Sequence, residues 1–233
     1  MNTETLAATG SKGTHSVEDS LSDRFISYAQ TDVLRVLPFD PYAAIVGPRP
    51  IGWIGTKSRA GVANLSPYSF FNALNHQPPL LGFASIGYKD SIRNIEQTGE
   101  FTWNLATREL AAQMNQSSVS APPDVDEFEL VGLTKAPSRQ ITAPRVAEAP
   151  VSLECRLSQV VRLKDSQGRE VDTWFVYGEV VHAHIRKDLL VDGVYDTAKG
   201  RPVLRGGGLS DYFEVTEASR FAMRKPGDYV HRT

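Results

Sequence analysis

Cysteine is nearly absent from this chain: Cys155 is the only one among 233 residues. A single thiol excludes an internal disulfide and any Cys-x-x-Cys metal or redox motif, and it fits a reducing compartment. Long hydrophobic runs are missing as well, and no stretch approaches the ~18 apolar residues that a membrane span requires. The N-terminal MNTETLAATGSKGTHSVEDS lacks both the basic and the apolar regions of a signal peptide. An excess of one charge is also lacking. The formal net charge is −2, with 41% hydrophobic and 22% charged residues, which argues against a nucleic-acid module. No G-x-S-x-G, H-E-x-x-H or P-loop pattern occurs. What remains is a globular protein expected in the cytoplasm, with no membrane or nucleic-acid partner, long enough for one large domain or two small ones.

The character of the chain changes near Val33. Residues 1–32 are polar and rich in Ser and Thr, and read as an arm that is mobile or orders against a partner subunit. Residues 33–233 read as the folded domain. Ala44 to Thr56 (AIVGPRPIGWIGT) is an apolar run broken by GPRP, read as a strand, a bend and a second strand. KSRAG is a hairpin-type turn, and PPLLGFASI has strand length. Ile92 and Ile95, a cap at Asp90 or Ser91 and Gly99 at the C′ position predict a helix over about 91–98. Phe101, Trp103 and Leu105 alternate as in a strand, and Thr107 to Asn115 reads as a second short helix. Residues 117–150 form a long excursion with a brief strand or two. Val151, Leu153, Cys155 and Leu157 alternate with Ser152, Glu154, Arg156 and Ser158, and DSQGR turns this strand back into DTWFVYGEVVHAHI. Many strands and few short helices predict a mainly β fold, a closed barrel with peripheral helices.

Several chemical signals weigh little. His182 and His184 share a strand face, but no Cys and no third His stands at ligand spacing, so no metal is expected there. Cys155 sits on the apolar side of its strand and reads as buried and inert. RGGG at Arg205 to Gly208 resembles a phosphate loop only in its glycines. A better signal is SIGYKDSIRN. A helix starting near Ser91 turns its free N–H groups and positive dipole end toward Lys89, a natural anion site. The dipole contributes ~0.3–1 kcal/mol, and each charge-assisted hydrogen bond about 1.5–3 kcal/mol. The plain alternative is a capped helix with an exposed Lys. Asn64, Ser66, Ser69 and Asn72 add donors, Trp53, Phe70 and Phe71 add flat apolar surface, and Gly52 and Gly55 permit close backbone approach. Pro50 and Pro67 lack an N–H and free neighbouring backbone groups. A flat heterocycle with a hydrogen-bonding edge and a phosphate tail would use all of these; the alternative for each aromatic is a place in the core.

PRPIGWIGT, then GVANLSPYSFFN, PPLLGFAS, KDSIRNI and TGEFTWNL follow one another in an order that resembles the flavin reductase-like family. DEFEL, APRVAEAPVSLEC, YGEVVHAHI and PVLRGGGLSDYF continue that order, so the resemblance spans about residues 33–225. It implies an FMN-binding split β-barrel and a homodimer with non-covalent FMN near the subunit interface. It places Pro50, Ile51, Trp53 and Thr56, with Asn64, Ser66, Ser69, Phe70, Phe71 and Asn72, along the isoalloxazine and ribityl parts. Ser85, Lys89 and Ser91 fall at the phosphate, and Arg205 near the ring or an incoming nicotinamide. The chain departs from the family where Gly55 replaces a common Ser and Ser66 a common Ala. The implied activity is that of an NAD(P)H-dependent flavin or small-substrate reductase, with NAD(P)H as a transient co-substrate and a monooxygenase as an acceptor. The alternatives are an FMN-binding electron carrier served by a protein partner, and a barrel that has lost its flavin and acts as an interaction module.

Overall fold

The structure is a computed structural model and describes residues 24–223. The larger part of the expected N-terminal arm lies outside these residues. The chain divides into two units, Met1–Tyr42 and Ala43–Thr233. Within the described part of the first lies α1 (Val33–Val36), and α2 (Tyr42–Ile45) spans the boundary. Among the described residues no helix is long and apolar enough to cross a membrane.

The second unit is built from short strands, as the period-2 patterning predicts. They are β1 (Arg49–Pro50), β2 (Gly52–Lys57), β3 (Ala63–Tyr68), β4 (Phe71–His76), β5 (Pro79–Ile86) and β6 (Glu100–Asn104). Then come β7 (Lys135–Ala136), β8 (Arg145–Val146), the long β9 (Val151–Lys164) and β10 (Glu170–Ile185), and the short β11 (Leu190–Val191) and β12 (Val194–Tyr195). β13 (Val203–Gly207) and β14 (Asp211–Glu214) complete the set. Seven strands form one sheet in the order β3-β2-β6-β9-β10-β5-β4, and β1-β13-β14 form a second. Every pairing in both sheets is antiparallel. Pro67 is tolerated inside β3 because that strand is a sheet edge, where one missing N–H costs no ladder bond. The hairpin expected at DSQGR joins β9 to β10, with Gly168 in the left-handed region at φ 79°.

The helices are α3 (Asp90–Thr98), α4 (Ala111–Gln116), α5 (Glu127–Leu130) and α6 (Thr197–Gly200). α3 forms where the sequence predicts, but its N-cap is Lys89 with no side-chain cap bond, and Asp90 and Ser91 lie inside the first turn rather than capping it. Ile92 and Ile95 are fully buried, and Gly99 at φ 77° ends the helix in the left-handed conformation that lacks a Cβ penalty. Ile92 and Ile95 pack with Ile54, Tyr68, Phe83, Phe101, Cys155 and Val176 in one core cluster. On the other side of β2, Trp53 joins Ile51, Leu65, Met114, Phe128 and Val146 in a second. β2 is therefore buried on both faces, from Gly52 through Thr56.

Two further expectations need correction, and one strand face holds a burial that alternation alone does not show. Ala44 to Val46 does not begin a strand, because α2 occupies that position; the Arg49 guanidinium donates to the carbonyls of Ala43 and Val46, satisfying groups a ladder would otherwise need. The second helix starts at Ala111 rather than Thr107, since Thr107 bridges to Pro202 and the Arg108 N–H donates to the Arg201 carbonyl. The polar side of β9 is covered only at its start: Ser152 and Glu154 are buried with 1% and 0% exposure, while Arg156 and Ser158 are exposed. The segment around 139–146 covers them, its N–H groups of Arg139 and Gln140 donating to Glu154 at 2.8 and 2.7 Å. A buried carboxylate with hydrogen-bond donors on both oxygens does not carry the full desolvation penalty of a bare charge.

Candidate functional site

A cleft of about 220 Å³ opens where β3, the start of α3, the segment after α4 and α5 meet. Asn64, Ser66 and Tyr68 line it from β3, at every second residue and hence on one face. Lys89, Asp90 and Ser91 line it at the start of α3, Ser118 to Ala121 after α4, and Glu127 from α5. Four of the residues predicted from the sequence, Asn64, Ser66, Lys89 and Ser91, are thus brought together across a gap of more than twenty positions in the chain.

A buried polar network sets the floor. Glu127 Oε2 accepts from Asn64 Nδ2 at 2.8 Å and from the Leu65 N–H at 3.0 Å. Asn64 Oδ1 accepts from Ser91 Oγ at 2.8 Å and from Thr56 Oγ1 at 3.3 Å. Asn94 Nδ2 in turn donates to Thr56 Oγ1 at 3.1 Å. Burial pushes the Glu127 carboxyl above its usual range, against the two donors that pull it down. Ser85 is fully buried next to this network and donates to the Gly87 carbonyl at 2.9 Å.

Three features make the cleft receptive to an anion. Lys89, the N-cap of α3, makes no side-chain cap, and the one carboxylate in that first turn, Asp90, lines the cleft but is paired with Arg93. The Lys89 ammonium is exposed and forms no ion pair among the described residues. Tyr68 Oη is buried and has no hydrogen-bond partner among the described residues, although the hydroxyls of Ser91, Ser66 and Ser85 lie beside it. Burial also raises the Tyr68 pKa, so the phenol stays protonated and keeps a proton to donate. An orphaned buried hydroxyl costs ~1–3 kcal/mol and calls for an explanation.

The remaining predicted residues lie elsewhere. The apolar face expected of Trp53 is taken by the protein itself: the ring is fully buried and its Nε1 donates to Ser117 Oγ at 3.0 Å. Ile51 is also core, and its carbonyl accepts from Trp103 Nε1 at 2.9 Å. Phe71 stacks on Trp103 at 5.8 Å and covers Gly52, where a Cβ would come within 2.8 Å of the ring. Phe70 lies under the Arg49 guanidinium, which also donates to the Ser69 carbonyl at 3.1 Å. Asn72 is exposed and accepts from the Ala73 N–H. Pro50 pairs with Leu204 and Arg49 with Arg205 in the β1–β13 ladder. Arg205 is committed to its own turn, donating to the carbonyls of Gly207, Gly208, Leu209 and Asp211 and stacking on Tyr212. It is not a lining residue of the cleft.

Sequence reasoning missed Tyr68 and Glu127. The signal for Tyr68 was the alternation Asn64-Ser66-Tyr68, hidden by Pro67. The signal for Glu127 was Asp126, whose carboxylate accepts from the Phe128 N–H at 2.9 Å and starts α5.

The profile described as "Flavin reductase like domain" matches residues 47–202. An uncharacterized protein of Halalkalibacterium halodurans is 37% identical over 194 residues, covering 79% of this chain and 90% of its own. Two solved structures are similar. Nitrilotriacetate monooxygenase component B from Bacillus cereus has a TM-score of 0.73 at 25% identity, over 92% of this chain and 100% of that one. The 2-nitrobenzoate 2-nitroreductase of Pseudomonas fluorescens has a TM-score of 0.75 at 26% identity, over 89% and 100%.

Proposed function

Because the chain belongs to the flavin reductase-like family and folds as its split β-barrel, we propose that it binds FMN non-covalently and reduces it with NAD(P)H. The observation that carries the reading is the donor set of the cleft, set against the Asp90 and Glu127 carboxylates, both already paired: a helix start without a side-chain cap, a Lys ammonium with no ion pair among the described residues, and a buried phenol beside three serine hydroxyls. These fit a phosphate. A volume of about 220 Å³ is smaller than the ~300–1,000 Å³ of a whole ligand site, so the cleft takes the phosphate end and not the complete cofactor.

Lys89, Ser66, Ser91 and Tyr68 would hold the phosphate, with Ser85 shaping the wall behind them. Asn64 positions Ser91, and Glu127 positions Asn64. When bound, the flavin supplies the redox chemistry, taking a hydride from nicotinamide C4 at its N5. The protein then contributes orientation and charge, and needs no dedicated acid or base. Pro50, Ile51, Ser69, Phe70, Phe71, Asn72 and Arg205 lie toward the ring end in this reading, with Trp53 and Thr56 acting from behind through packing and the polar network. A homodimer and a monooxygenase acceptor complete the proposal; the likeness to nitrilotriacetate monooxygenase component B supports the latter.

The test is an absorption spectrum after FMN addition and desalting, followed by anaerobic NADH or NADPH. Flavin bands that bleach on either nicotinamide support a reductase. Retained bands that stay oxidised overturn the NAD(P)H part and favour an electron carrier. Lys89→Ala removes one charge-assisted contact of ~1.5–3 kcal/mol and should weaken FMN binding about 10- to 150-fold. An unchanged affinity would remove Lys89 from the phosphate site.

A further inference from the structure

A second group of ligating side chains lies across β9 and β10, outside the proposed flavin cleft. In the β9–β10 register His182 stands directly opposite Glu154 and His184 opposite Ser152, so Glu154 and both imidazoles share one face of the sheet. His184 Nε2 meets Glu154 Oε1 at 2.6 Å, and the two imidazole rings are 4.7 Å apart, edge to face. One nitrogen from each histidine and one carboxylate oxygen all lie within 4.8 Å of one another. His-x-His alone supplies two ligands, and the third comes from a strand almost thirty residues away, which no local spacing reveals.

We propose that Glu154, His182 and His184 form a binding site for a first-row divalent cation of the Zn²⁺ class. Two neutral imidazoles and a carboxylate are the ligand types such ions take, and three protein ligands leave a fourth position open for water. The ion takes the place of the proton that His184 Nε2 shares with Glu154 Oε1. In a tetrahedral site with bonds of ~2.0–2.1 Å the ligand atoms sit about 3.3 Å apart, so the Glu154–His184 pair opens slightly and His182 closes in. The surroundings already hold the ligands. Glu154 is fully buried and oriented by the N–H groups of Arg139 and Gln140, the hydrogen-bonded second layer that metal-bound carboxylates carry. His182 is half-buried and makes no hydrogen bond among the described residues, so one imidazole faces the site uncommitted.

The site would tie β9, β10 and the segment covering them at one point, and it does not depend on flavin. The test uses the full chain, dialysed against a chelator and titrated with Zn²⁺ alone by calorimetry. One equivalent should bind with Kd tighter than about 10 μM, and Zn²⁺ at 100-fold excess over Kd should raise Tm by about 5–10 °C. His182→Ala removes a ligand without removing a hydrogen bond; its Tm in chelator should match the parent, and Zn²⁺ affinity should fall at least about tenfold. FMN retention in that variant should be unchanged, which separates this site from the flavin reading. Binding weaker than about 10 μM in the parent, or undiminished in His182→Ala, overturns the proposal.

Discussion

Replacing Tyr68 by Phe should move stability and flavin affinity in opposite directions. The ring packs on Phe83 with centroids 4.6 Å apart, and Phe keeps that contact. What is lost is Oη, which is buried and unpartnered in the flavin-free protein. Leaving a buried hydroxyl unsatisfied costs ~1–3 kcal/mol, so deleting it should stabilise the flavin-free chain by about 1 kcal/mol or more. For a domain of this size 1 kcal/mol corresponds to a Tm rise of about 2–4 °C. In the proposed FMN complex the same hydroxyl would donate to a phosphate oxygen, beside Ser66 and Ser91. Losing a charge-assisted bond of ~1.5–3 kcal/mol weakens FMN binding about 10- to 150-fold. Thermal unfolding without flavin and quenching of flavin fluorescence on titration measure the two effects. A lower Tm with undiminished FMN affinity would refute the reasoning, because the hydroxyl would then be satisfied in the free protein and idle in the complex.

Two further outcomes follow from the same network and its neighbours. Glu127→Gln keeps an oxygen able to accept from Asn64 and Leu65 and removes a buried charge. Because burial raises the folded pKa of Glu127, its contribution to stability is full below the unfolded carboxyl value of ~4.3 and is lost as pH rises through the folded pKa. The variant should therefore equal the parent in urea unfolding at pH 4 and gain on it toward pH 7; a gap that closes instead would show the carboxylate to be stabilised by its donors. Gly55→Ser, toward the family's common residue, places a Cβ against Thr102 Oγ1 and 2.8 Å from the Pro144 carbonyl. It should cost about 1–3 kcal/mol by overpacking and leave FMN affinity unchanged, read by urea unfolding and flavin titration; tighter FMN binding would return a cofactor contact to that position.

The strands and the helix at Asp90–Thr98 were legible because their signals are local: alternation, two isoleucines three apart, a glycine past the end. The grouping of Lys89 with Ser91 in one cleft was legible for the same reason, since both lie at that helix start. Other features depend on what covers a surface. Ser152 and Glu154 look solvated in an alternating strand and become core only because the segment near 139–146 folds over them. Trp53 looks like a ligand platform beside its glycines, yet Ser117, more than sixty residues later, takes its N–H and closes the core around it. Pairing partners far along the chain decide such cases, and no window of sequence contains both.

The sheet order has a consequence for synthesis of the chain. β3, β2 and β6 can pair once Asn104 has been made, and β4 with β5 earlier still, but no strand ladder joins these two pieces directly. β9 docks on β6 and β10 on β5, so the hairpin of Val151–Ile185 is the wedge that unites them. On the ribosome, the edges of β5 and β6 therefore wait for a stretch made some fifty residues after β6, and Phe83 and Phe101 lack Cys155 and Val176 of their core cluster meanwhile. A chain truncated before the hairpin therefore leaves β5 and β6 as open sheet edges, rather than most of a barrel.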